Sequence, residues 1–130
     1  MKIMVAYDGS RASMKAVDLA VSHALAFDGQ IFAVASLDKG TEDELKVINE
    51  LEESLQTLKN DIEDQGPSCE THLLIRGMSP GEDLVKYALE QEIDEIILAI
   101  QRTSKVGKLI FGSTAQYIIL NAPCPVVTIK

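Results

Sequence analysis

Two neighbouring groups of residues in the last third of this chain could do chemistry together. Arg102, Lys105 and Lys108 place three of the chain's 12 basic residues in one short stretch, in a protein of net charge −8. Gly112-Ser113-Thr114 follows directly. A Gly-Ser pair at a helix start leaves backbone N–H groups without partners, and such an end can hold an anion. The hydroxyls of Ser113 and Thr114 can donate to an oxyanion, and the helix dipole favours negative charge there. A plain N-cap and a solvated basic loop would use the same residues without any ligand.

Other candidates are sparser. Asp8 closes the first apolar run, where a carboxylate can accept hydrogen bonds from a ligand hydroxyl or amine, or cap the next helix. Gly9 and Gly112 permit close backbone approach or positive φ. Gly107-Lys108 looks like the end of a Walker loop, but Leu109 replaces the magnesium-reaching hydroxyl and Arg102 replaces the first glycine, so that motif is absent. His23 and His72 lack metal-ligand spacing, and Cys69 and Cys124 form neither a disulfide framework nor a Cys-x-x-Cys site. No Ser-His-Asp or Cys-His arrangement can be assembled, and no catalytic residue is expected.

Alternating elements must position these residues. Short apolar runs predict strands at 2–7, 30–37, 69–75, 94–100 and 124–129. Met14, Val17, Val21 and Leu25 give a helical spacing over 11–27, with Ser10 as N-cap and Asp28-Gly29 as the stop. Ile48, Leu51, Leu55, Leu58 and Ile62 stripe a helix over 42–64, opened by a Thr41/Glu44 capping box and stopped at Gly66-Pro67. Ser79-Pro80 opens a helix reaching about Gln91, and another spans 113–121. Most of the strands are continuous apolar runs, which is how strands covered by helices on both faces read. The fold class is therefore α/β, an open parallel sheet with right-handed crossovers. Ligands in such sheets sit beyond the carboxyl ends of the strands where the winding reverses. Asp8-Gly9-Ser10, Ser36-Leu37-Asp38 and segment 99–114 would line that place.

Composition bounds the function. At 130 residues and 46% hydrophobic, one domain over 1–130 is expected. The acidic balance argues against a general nucleic-acid surface. No apolar run approaches the ~20 residues of a membrane span, and the N-terminus does not read as a signal peptide. A cytoplasmic protein is expected. Residues 42–64 hold nine of the 20 carboxylates, read as a solvated helix face.

Three segments together resemble the universal stress protein family: Lys2-Ile-Met-Val-Ala-Tyr-Asp-Gly-Ser10, Ile75-Arg-Gly-Met-Ser-Pro-Gly-Glu-Asp83, and Val106-Gly-Lys-Leu-Ile-Phe-Gly-Ser-Thr-Ala-Gln116 with Ala122-Pro-Cys-Pro-Val-Val127. The resemblance runs through the chain in order. It implies a five-stranded parallel sheet of order 3-2-1-4-5 with four helices, of the adenine nucleotide alpha hydrolase-like kind. It also implies a homodimer joined through strand 124–130, whose edge carries no charge before Lys130. Nucleotide-binding members carry Gly-x2-Gly-x9-Gly-(Ser/Thr) after strand 4. The third glycine and hydroxyl match Gly112 and Ser113, whereas the first two glycines fall on Ala99 and Arg102. Asp8 matches the acid that contacts adenosine, and Ser36 falls where a backbone group of strand 2 contacts adenine. The implied function is a non-catalytic, dimeric stress-response protein with weak or absent ATP binding of the family's usual kind. Two alternatives stay open: an ATP- or AMP-binding switch in which Arg102, Lys105 and Lys108 replace backbone amides, and a binding domain for another anion.

Overall fold

The computed structural model describes residues 1–38, 45–100 and 112–130. Five strands and four helices alternate: β1 (Lys2–Ala6), α1 (Arg11–Phe27), β2 (Gln30–Ser36), α2 (Leu45–Asp64), β3 (Cys69–Leu74), α3 (Pro80–Glu90), β4 (Glu95–Ala99), α4 (Ser113–Asn121) and β5 (Val126–Ile129). All strand pairs are parallel and the order is β3-β2-β1-β4-β5. Winding starts at β1, runs outward through β2 and β3, then returns to the other side of β1 at β4. The reversal therefore falls between β1 and β4, as the sequence predicts.

Each apolar strand feeds two cores. Ile3, Val5, Ile31, Ala33 and Ile97 face α1 and α2, while Met4, Phe32, Val34, Ile96 and Leu98 face α3 and α4. Side chains alternate across a pleat, so a strand covered on both faces must be apolar at every position. The α2 stripe packs through Leu51, Leu55, Leu58 and Ile62, while Ile48 at its start is only partly buried. Its Thr41/Glu44 cap lies outside the described residues.

Two expectations need correction. In α1, Met14 and Leu25 are exposed, at 39% and 60%. The buried face is Ser13, Ala16, Val17, Ala20, Val21 and Ala24. Small side chains let the helix lie close on the sheet, and its larger apolar residues flank that contact. β5 is also less covered than its apolar run suggests. It closes one end of the sheet, and Thr128 is exposed.

Ends are set locally. Ser10 Oγ accepts from Ser13 N at 3.2 Å, capping α1, and Asp28 (φ 52°) closes it in the left-handed region. Pro80 begins α3 behind Ser79, which makes no side-chain cap bond. Gly81, in that first turn, lies against α4. A Cβ there would stand 2.9 Å from Tyr117 Cβ, so only glycine allows the two helices this approach.

Candidate functional site

The strand ends at the reversal enclose a crevice of about 350 Å³. β2, β1 and β4 are neighbours, so Ser36, Asp8 and Ala99 stand on successive strand ends. The ends of β2 and β4 are two interstrand spacings apart, roughly 10 Å. The N-terminus of α4 closes the far side with Gly112 and Thr114, and the α3 residues Pro80 and Leu84 line the wall on the α3/α4 side of the sheet. Of the nine candidate residues, Asp8, Ser36, Ala99, Gly112 and Thr114 line this one space. Gly9 and Ser113 adjoin it in sequence but are not lining residues. Arg102 and Lys105, with Lys108, lie outside the described residues.

Asp8 is placed by a tight turn. Tyr7 N still donates to Val34 O at 2.9 Å, holding the chain on the sheet one residue beyond β1. Gly9 then turns at φ +83°, a conformation that glycine adopts without strain. Ser10 N donates to Asp8 Oδ1 at 2.9 Å. The carboxylate thus does part of the local capping that the sequence allowed for. Its second oxygen makes no hydrogen bond among the described residues, and the side chain is exposed at the crevice.

Gly112 is different from Gly9. Its φ of −62° suits any residue, and a Cβ there would meet nothing within 4 Å. Neither backbone nor packing among the described residues requires glycine. It N-caps α4 without a side-chain bond, and no side chain among the described residues caps the first amides of that helix. An anion approaching them would use the room that the missing Cβ leaves.

A buried acid that sequence reasoning passed over stands behind Ser36. Asp83 is 0% exposed. Its Oδ1 accepts from Arg76 Nε at 2.5 Å and its Oδ2 from Ser36 Oγ at 3.2 Å. Arg76 also donates to Asp83 O at 3.2 Å and to Glu90 Oε1 at 2.8 Å. Burial works against the Arg76 charge, but the bonds to Glu90 and Asp83 outweigh it and raise its pKa above the ordinary value. A charge pair with every partner in place is how a buried carboxylate is tolerated. By position Asp83 is an acid in the first turn of α3, and nothing local in the sequence marks it as buried.

His23, Cys69 and Tyr87 do not line the crevice. His23 Nδ1 meets Glu95 Oε1 at 2.7 Å, at the amino ends of the strands and so on the opposite edge of the sheet from Asp8. Burial pushes the Cys69 thiol up to about 11, with help from Glu63. It likewise pushes Tyr87 up to about 12, with Glu70 adding to the effect. Among the described residues no three His, Cys, Asp or Glu side chains form a metal-binding group.

A doubly wound parallel sheet of this order, with a crevice lined by a strand-1 acid and a helix start, defines a class of α/β domain. The universal stress protein family model matches residues 1–130, and the chain belongs to that family. It is similar to a universal stress protein from Archaeoglobus fulgidus, with 36% identity, a TM-score of 0.90, and coverage of 100% of this chain and 98% of that one. A universal stress protein from the same organism in complex with dAMP is 34% identical, with a TM-score of 0.83 and the same coverage. A universal stress protein from Methanocaldococcus jannaschii is 29% identical over 140 residues, covering 99% of this chain and 81% of the relative.

Proposed function

We propose that this chain is a non-catalytic, dimeric stress-response protein of the cytoplasm, one domain over 1–130, that holds an adenine mononucleotide in the crevice. The observation carrying the reading is the meeting of Asp8, Ser36 and the start of α4 around one space. The base goes to the Ser36 end, the ribose hydroxyls to Asp8, and the phosphate to the amides from Gly112 to Thr114. Ser113 supplies a hydroxyl to the phosphate, and Gly9 lets the Asp8 turn form. The Archaeoglobus fulgidus relative in complex with dAMP supports a monophosphate of this class. Ala99 and Arg102 stand where triphosphate-binding members carry glycine, which favours AMP over ATP. Lys105 shares the basic stretch with Arg102 and adds to its attraction for phosphate.

Dimerisation through 124–130 is supported by the contrast between the two sheet edges. β3 carries Glu70, a charge that discourages pairing, whereas β5 is Val-Val-Thr-Ile. Calorimetric titration with AMP, ATP and inorganic phosphate tests the ligand. AMP at micromolar affinity, no gain for ATP, and loss of AMP binding in Asp8→Ala are expected. Phosphate binding without adenine preference would replace the nucleotide reading with a plain anion site. ATP turnover at about 1 per second or more, an ordinary enzyme rate, would contradict a non-catalytic role.

A further inference from the structure

A groove of about 540 Å³ lies on the α1/α2 side of the sheet. Tyr7, Met14 and Leu58 give it an apolar floor, and Glu50, Glu53 and Asp61 stand on its rim. The three carboxylates are exposed, and none forms a salt bridge among the described residues. No described lysine or arginine lines the groove. Helical periodicity puts positions 50, 53 and 61 on one flank of α2, beside its buried stripe. Along the axis, Glu53 and Asp61 stand about 12 Å apart, at ~1.5 Å per residue. Tyr7 adds an independent observation. It is 8% exposed, and its side chain packs in the core beneath α1 and α2 while lining this groove. Its hydroxyl makes no hydrogen bond among the described residues. A buried ring whose polar tip opens on an acidic groove suits a ligand that combines N–H donors with apolar carbon.

We propose that this groove is a second binding site, separate from the strand-end crevice, and that it takes a linear polyamine, a methylene chain carrying several ammonium groups. The site does not depend on the nucleotide reading. Ammonium groups only donate hydrogen bonds, so they complement the carboxylates and the oxygen of the Tyr7 hydroxyl. The methylenes lie on Met14 and Leu58, and the Tyr7 ring attracts a cation held against it. An extended triamine such as spermidine measures about 11 Å between its end nitrogens, at roughly 1.25 Å per bond. That length matches the spacing from Glu53 to Asp61. A divalent metal ion fits less well, because it needs oxygens that converge. Here the acids are strung along one helix, and among the described residues no three His, Cys, Asp or Glu side chains form such a group. Single exposed ion pairs are weak, so charge alone selects little. Selection comes from the hydroxyl and the apolar floor between the charges.

The test titrates spermidine, the shorter diamine putrescine and magnesium calorimetrically into the full chain at one fixed ionic strength. Spermidine is expected to bind about fivefold tighter than putrescine, the scale of one added exposed ion pair, because only the triamine reaches both ends of the groove. Tyr7→Phe keeps the ring and removes the hydroxyl, and spermidine should weaken about tenfold, the scale of a hydrogen bond to a charged group. Glu53→Gln combined with Asp61→Asn changes only exposed side chains and should bring spermidine down to the putrescine level. Circular dichroism reports whether each variant is folded, and the double variant decides the matter if Tyr7→Phe is not. Equal affinity of the wild type for the two amines would overturn the inference, as would full displacement of spermidine by an equal concentration of magnesium. Both results would mean a diffuse cloud of counterions. Unchanged affinity in folded Tyr7→Phe, or no binding at millimolar spermidine, would overturn it as well. A tetralysine peptide that bound more tightly than spermidine would replace the small amine with a basic protein segment.

Discussion

At the scale of single residues, the crevice separates groups that serve the fold from groups proposed to serve a ligand. Asp8 does a little of the first, through its bond to Ser10 N, and is otherwise exposed. Asp8→Ala should therefore weaken AMP binding by about 10- to 100-fold, the range for a hydrogen bond to a charged group, with only a small loss of stability. Gly112 gives the sharper contrast. Among the described residues nothing stands within 4 Å of a Cβ placed there. Gly112→Ala should leave unfolding free energy within about 0.5 kcal/mol of wild type, as surface changes usually do. It should weaken AMP about tenfold, because the methyl group occupies the approach to the α4 amides. Calorimetry and urea unfolding on the same samples check both. Asp8 and Gly112 were legible in the sequence because position at a strand end or helix start is a local property. Asp83 was not, because its burial depends on Arg76 and on Ser36, 47 residues away.

At the scale of elements, periodicity carried most of the information. The apolar strands and the α2 stripe appear close to where their spacing puts them, since burial on two faces or on one face leaves different patterns. The face of α1 was harder to read. Alanines carry little periodic signal, and Met14 and Leu25 pulled the expected stripe away from the true contact. Close approach is likewise invisible to periodicity. Ser79-Pro80 marked the helix start, but nothing in the spacing shows that Gly81 permits α3 to meet α4 at Tyr117. Gly81→Ala should destabilise the protein by about 1–3 kcal/mol, the range for overpacking a tight contact. A lowered urea midpoint with an unchanged slope would show this. An unchanged midpoint would mean the helices can separate freely.

At the scale of the whole molecule, burial sets the response to alkali. The Cys69 thiol is pushed up to about 11 from an ordinary 9.0. Between those values the unfolded chain releases this proton and the folded one keeps it. The folded state then binds more protons, so stability falls as pH rises from 9 to 11, by at most ~1.4 kcal/mol per unit for one group. Below pH 9 both states hold the proton and the effect vanishes. Urea midpoints at pH 8, 10 and 11 should fall in that order, and less steeply in Cys69→Ala. The proposed dimer is tested at the other edge of the sheet, on β5. Thr128 is exposed on β5, and Thr128→Lys would set like charges near each other across a paired edge. Light scattering should then show a shift from dimer to monomer, and a wild type that is already monomeric would contradict pairing through β5. The most direct test of the nucleotide site is a titration of isotope-labelled protein with AMP, followed by amide chemical shifts. The largest saturable shifts should fall on Asp8, Ser36 and residues 112–115, which come together only at the reversal of the sheet. Shifts confined to the groove lined by Glu50, Glu53 and Asp61, or no shifts at millimolar AMP, would contradict it.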